Sequence, residues 1–288
     1  ASREDCLCYE KKKIIEAHLY TANFSADAER IGLNFFYRVD VPMDELEKYE
    51  ISVEGSLKDS RFFASHKLWF NTGRVYVGVD HPLLWNVKGH GDANLYDVKI
   101  TLKKENTIVD TYSMKYGIRS IKLEKTSLGT DGGKFQFLVN GKKVFIKGIN
   151  WTPVDALRPY NLERTKKSLS LCKELGVNMI RVWGGGVYES EAFYRSCDEN
   201  GILVWQDFML ACAVYPKTER LLALIRQEAD AVVKKLRNHP CIALWCGDNE
   251  DDIAHSWYGF NREPWHDVIS RDILFKAVFR NAPTAVYL

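Results

Sequence analysis

Carboxylates, amides and indoles recur at the ends of apolar runs in the second half of this chain. "CIALWCGDNEDD" (241 to 252) climbs through apolar residues to Trp245 and then releases Asp248, Asn249 and Glu250. The same rhythm gives Trp151 with Asp155 just beyond it, Arg181 with Trp183, and Gln206 with Asp207. Aromatic faces pack on the C–H surfaces of sugars, while amides and carboxylates pair with their hydroxyls, so this mixture suits a neutral polyhydroxy ligand. A carboxyl group set beside Trp245 and Trp257 would have its pKa raised by desolvation, as a general acid requires.

Those groups share one rim only if the runs are parallel strands. The segments "VFIKGINW", "VNMIRVW", "ILVWQDF" and "CIALWCG" are continuous apolar strands separated by amphipathic helices, which implies a parallel sheet covered by helices. One helix runs from about Asn161 to Leu175, with Leu162, Leu169, Cys172 and Leu175 on its apolar face. A second covers "SEAFYRSCDENG", and a long third covers roughly 217 to 237, with Leu222, Ile225, Ala229, Val232, Val233 and Leu236 as its stripe. A fourth is expected near 265 to 281. In a (β/α)8 barrel the reactive groups collect at the C-terminal strand ends, which is where these residues fall.

The first part reads differently. Short alternating segments at 13–20, 33–41, 49–55, 74–79, 95–102 and 107–114, with turn residues between them, suggest an antiparallel sandwich ending near 117–126. Asn140-Gly141 inside "FQFLVNGKKVFIKG" signals a type I′ hairpin. The expected division is therefore 1–126 and 127–288.

Composition sets outer bounds. The 288 residues are 46% hydrophobic and 12% aromatic, enough for substantial cores. With 40 basic and 38 acidic side chains the formal charge is +2, which gives no electrostatic case for nucleic acid or an anionic membrane as a partner. The seven cysteines are scattered without a paired CxxC spacing, so free thiols are expected, no zinc site, and a cytoplasmic setting. The triple glycine 184–186 fails the dinucleotide fingerprint, because Glu189 stands where a glycine is required. It is instead expected to let the backbone pass close beneath a ligand. Arg181 reads equally as an ion-pair partner or a ligand-facing group, Trp205 and Trp245 read as core, and His239 as a cap of the helix-to-strand turn.

The segments "GINWTPVD", "NMIRVWGGGVYE", "WQDFMLACAVYP", "RNHP" and "WCGDNE" together resemble the β-mannosidase branch of glycoside hydrolase family 2. The resemblance implies an immunoglobulin-like β-sandwich followed by a truncated (β/α)8 barrel, its nucleophilic Glu on a later strand beyond Leu288. It implies Glu250 as acid/base and Asn249 as its substrate-contacting neighbour; the strand-end pattern itself offers Trp183, Asp207, Trp151, Asp155, Arg181 and Trp257 as further substrate-binding candidates. The implied partner is an oligosaccharide with non-reducing terminal β-mannose, together with the missing domains of the parent chain, and no metal or cofactor is called for. Exo-β-glucosaminidase, endo-β-mannosidase and a catalytically inactive carbohydrate-binding fragment, the 288 residues alone being inactive, are the alternatives.

Overall fold

The computed structural model describes residues 13–24, 29–126, 133–155, 157, 161–258 and 267–288. Cys6, Cys8, His266, most of the Gly-rich stretch after Thr126 and the first residues of the expected fourth helix lie outside them. Seven antiparallel strands build the first part: β1 (Ile14–Phe24), β2 (Arg30–Val39), β3 (Tyr49–Leu57), β4 (Ser60–Lys67), β5 (Thr72–Asp80), β6 (Tyr96–Lys104) and β7 (Thr107–Tyr116). They form sheets in the orders β1-β2-β5 and β4-β3-β6-β7. In β3 the residues Tyr49, Ile51, Val53 and Gly55 are buried while their neighbours are not, the period of two that one covered face demands. These pack with Leu33, Phe35, Tyr37, Val77, Val79, Ile100 and Leu102 in one core. Strand β4 was not expected from the sequence, because only Ser60 and Phe62 along it are buried and the apolar alternation is lost.

Three further strands, β8 (Ile121–Lys125), β9 (Phe135–Val139) and β10 (Lys142–Val144), make a small antiparallel sheet. The hairpin turn is as expected, with Asn140 at φ 50° and Gly141 at φ 75°. Ile121 packs in the core of the second half of the chain rather than in the sandwich. The boundary expected after Thr126 falls beside residues 127–132, outside those described.

The second half alternates as its patterning requires. Strand β11 (Gly148–Trp151) leads to α1 (Leu162–Glu174), β12 (Met179–Val182) to α2 (Glu191–Asn200), β13 (Leu203–Asp207) to α3 (Glu219–Leu236), and β14 (Ile242–Cys246) to the short α4 (Asp251–Trp257). A π-helical turn (Ile269–Leu274) then runs into α5 (Phe275–Asn281). The four strands are parallel in the order β11-β12-β13-β14, and Tyr287 makes a parallel bridge to Trp245. Helix α1 starts on Asn161, whose side chain accepts from the Arg164 N–H. Its core face is Thr165, Leu169 and Cys172, whereas Leu162 and Leu175, expected on that face, are exposed at the two ends of the helix. Helix α3 is capped by Thr218 and buries Ala229, Val233 and Leu236, with Leu222, Ile225 and Val232 packed at the margin.

The sandwich closes the end of the half-barrel opposite the carboxylate rim. Trp85 is fully buried in the barrel core and its Nε1 donates to the Asp198 carbonyl at 2.7 Å. Arg119 donates to the Pro240 and Ile242 carbonyls at 3.0 and 2.8 Å. His239 does more than cap the turn: it pairs with Asp198 at 2.6 Å and Glu191 at 3.3 Å, and although burial works against its charge, those bonds raise its pKa to about 9.

Gly201 ends α2 at φ 65°, and a Cβ there would meet the Asn86 carbonyl and the Lys88 N–H at 2.8 Å, both backbone atoms. Gly141 shares the positive φ but has nothing within 4 Å. Gly141→Ala is therefore expected to cost about 1 to 2 kcal/mol for the conformation alone, and Gly201→Ala about 1 to 3 kcal/mol more for overpacking. Urea midpoints of the two variants check the order; equal losses would remove the close approach from the account.

Candidate active site

Register decides which side chains meet. Arg181 on β12 lies directly beside Trp205 on β13, and Asp207 is two residues further along the same face. The Asp207 carboxylate has no exposure and accepts from Arg181 Nε (3.2 Å), Arg181 Nη2 (2.8 Å), Gly184 N–H (3.0 Å) and Trp205 Nε1 (2.9 Å). Burial pushes its pKa up, and those four donors pull the other way. Arg181 lies over the Trp205 ring at 5.4 Å and also donates to Asn249 Oδ1 at 3.0 Å. Trp205, expected as plain core, is thus half-buried on the concave face, its indole N–H committed to Asp207.

Beyond β13 and β14 the loops are stitched to each other. Asn249 N–H donates to the Leu210 carbonyl at 3.0 Å, and the Cys212 N–H donates to the Asn249 carbonyl at 2.8 Å. The Asn249 side chain donates to Cys212 Sγ at 3.4 Å, and that thiol donates to Glu250 Oε2 at 3.5 Å. Glu250 is exposed and sits at φ 63°, an unusual conformation for a non-glycine residue, as is Cys212 at φ 51°. The rim therefore joins Arg181, Asp207, Asn249 and Glu250 into one connected set, with Cys212 as a member that nothing in its spacing announced.

The other expected residues are distributed differently. Trp151 is buried, donates from Nε1 to Glu189 at 2.8 Å and packs on Phe193 of α2. Asp155 lies in the loop after β11, where it accepts from the Leu157 N–H and pairs with Arg164 at 3.5 Å. Trp183 is half-buried at the rim, its indole lying flat where a Gly185 side chain would stand. A Cβ at Gly184 would likewise meet the Phe208 carbonyl at 2.7 Å, and at Gly186 the Pro153 ring at 3.1 Å. The glycines admit neighbouring protein groups at close range. Trp257 is exposed at the end of α4, and Trp245 is buried in the core, stacked on Phe208 at 5.4 Å.

Besides Asp207 and Glu189, a third carboxyl group is raised, that of Asp251. Burial and the nearby Asp248 lift its pKa to about 7. Asp248, Asp251 and Asp267 converge, but each is already engaged: Asp248 accepts from Ser270 Oγ and the Asp251 N–H, Asp251 from the Ala213 N–H, and Asp267 from Lys217 at 3.1 Å. Asp198, His239 and Cys241 form a second convergent set, joined by the ion pair described above. The five cysteines among the described residues are free thiols. Among the described residues no helix is long and apolar enough to cross a membrane.

Two models of one family match this chain: Glycosyl hydrolases family 2 over residues 21–119, and Glycosyl hydrolases family 2, TIM barrel domain, over residues 133–269. The chain belongs to glycosyl hydrolase family 2. Among similar curated proteins, Beta-mannosidase B of Neosartorya fischeri is 44% identical over 181 residues, covering 62% of this chain and 21% of that protein. Beta-mannosidase B of Aspergillus flavus is 38% identical over 252 residues, covering 84% and 29%. The crystal structure of the β-D-mannosidase from Dictyoglomus thermophilum superposes with a TM-score of 0.83 at 33% identity, covering 96% of this chain and 34% of that one. The chain thus spans about a fifth to a third of the length of these relatives.

Because the folded-state pKa of Asp251 is raised, the unfolded chain gives up this proton first. Its contribution to stability is full below about 3.8 and is lost as pH rises to about 7. Asp251→Asn, which keeps an acceptor for the Ala213 N–H, is expected to raise the melting temperature at pH 8 and leave it nearly unchanged at pH 4. A variant destabilised at pH 8 would show that the ionised carboxylate is favourable there.

Proposed function

We propose that this chain supplies the acid/base side of a retaining exo-β-mannosidase, an enzyme that removes terminal β-linked mannose from oligosaccharides. The observation that carries this reading is Glu250, an exposed carboxylate at the C-terminal rim, beside an Asn249 amide held in place from β12. Membership of the family and the names of the similar curated proteins support it. In the mechanism Glu250 gives its proton to the glycosidic oxygen as the bond to the anomeric carbon breaks, while a second carboxylate, from a later strand of the parent protein, attacks that carbon. Glu250 then takes a proton from the water that releases the sugar, and so returns to its starting state. Asn249 donates to a sugar hydroxyl and the Trp183 indole borders the sugar subsite. Trp257, exposed at the end of α4, and Asp155, in the loop after β11, are left to the remainder of the oligosaccharide.

The full-length protein carrying this sequence tests the reading. It is expected to hydrolyse aryl β-mannosides in preference to aryl β-glucosaminides; the reverse preference would discard mannose as the sugar. Glu250→Gln should slow a natural disaccharide by about 10² to 10⁴ for the loss of general acid catalysis. An aryl mannoside with a good leaving group should suffer less in its first step, and azide should partly restore its turnover. Equal losses on both substrates without azide rescue would make Glu250 structural.

Trp183→Ala gives an independent check. Its ring rests on Gly185 at the rim, where water can refill the space, so kcat/KM should fall while the melting temperature barely moves. A large stability loss with near-normal activity would assign Trp183 to the core.

A further inference from the structure

The sequence offers Asp207 as a sugar ligand, but its carboxylate is wholly enclosed and faces four protein donors. What it does to Arg181 is more informative. Arg181 Nη2 carries two hydrogens and has two acceptors in range, Asp207 Oδ2 at 2.8 Å and Asn249 Oδ1 at 3.0 Å. With the guanidinium pinned by Asp207 on one side and by the Trp205 face beneath it, the second hydrogen is aimed at Asn249. The amide then has one allowed orientation, because a flipped Asn249 would set its NH2 against the arginine, donor against donor. Its Nδ2 faces away, one hydrogen on Cys212 Sγ at 3.4 Å and the other left for a ligand.

We infer that Asp207 is a positioning residue: through Arg181 it fixes the Asn249 amide so that one N–H points at a hydroxyl oxygen of the sugar bound beside Glu250. This rests on the glycosidase reading of the site. It also moves Asp207 and Arg181 out of the set that touches substrate and into the set that aims it.

A double-mutant cycle in the full-length protein, with an aryl β-mannoside as substrate, tests this. Asp207→Asn removes the charge that pins Arg181 and should lower kcat/KM by about 10²-fold, the scale of a misplaced group. Asn249→Ala should lower it by at least as much. If Asp207 acts through Asn249, the double variant is no worse than Asn249→Ala alone, because there is no amide left to aim. Factors that multiply would mean that Asp207 acts by another route and would overturn the inference. Should Asp207→Asn fail to fold by circular dichroism, Arg181→Lys carries the same cycle, since one ammonium cannot reproduce the planar fork on two acceptors. A folded wild type that hydrolyses no β-mannoside would remove the functional reading and this inference together, whereas an active wild type with a multiplicative cycle removes the inference alone.

Discussion

A carboxylate with no exposure at the end of a strand imposes conditions on everything near it, because an isolated charge taken from water costs several kcal/mol unless it is paired and hydrogen-bonded. Asp207 meets those conditions with donors from two strands and the loop between them. Gly184 must reach it with its backbone, and has no side chain because Phe208 and Leu210 carbonyls already occupy that space. The Leu210 carbonyl in turn accepts from Asn249, so the loops after β13 and β14 take a common register. Arg181, drawn in by Asp207, needs a second acceptor and a face to lie on, and finds them in Asn249 and Trp205. The position of the groups beside Glu250 follows from where one negative charge is buried.

The opposite end of the half-barrel is built for a different purpose. Glu16, on the first strand of the sandwich, takes Arg38, Lys234 and Arg237 at 2.6, 3.1 and 2.9 Å, and Asn238 reaches back to Ala17 and His18. Ion pairs of this kind add less to stability than their number suggests, since desolvation offsets most of the attraction. Their directionality fixes how α3 meets β1, while the buried Trp85 supplies apolar contact. Stability contacts thus gather before the strands and chemistry after them, the division that barrels of this type impose.

Much of this was legible because it rests on periodicity. The parallel strands, the α3 stripe and the Asn140-Gly141 hairpin are local patterns, and local patterns survive folding. Strand β4 was lost because an edge strand with one buried aromatic has no alternation to read. Trp205 packs against the core as expected, but its second contact was hidden because an apolar run does not say which of its residues face a lumen; that depends on the neighbour, and Arg181 beside it is visible only once the register is known. Asp207 and Trp151 show the same limit from the other side. Their types suit a sugar, but their surroundings use up their hydrogen-bonding capacity before a ligand could. Cys212 had no signal at all, since its contacts with Asn249 and Glu250 come from loops 37 and 38 residues apart in sequence.

The same accounting explains why the chain places so many acids after β14. A helix beginning at Asp251 needs an acceptor for its first N–H groups, and the residue at the capping position is Glu250. Glu250 makes no side-chain cap; Asp248 takes that role by accepting from the Asp251 N–H. With capping delegated, Glu250 can adopt a left-handed backbone, a strain of order 1 to 3 kcal/mol that persists only where surrounding bonds enforce it. Those bonds are the ones between Cys212, Asn249 and Leu210. The conformation turns the Glu250 carboxylate out of the helix start and into solvent at the rim, with a single weak thiol contact at 3.5 Å. In the role proposed above Glu250 exchanges protons with substrate and water, which it could not combine with capping its own helix, and the neighbouring aspartate is what leaves it free of that duty.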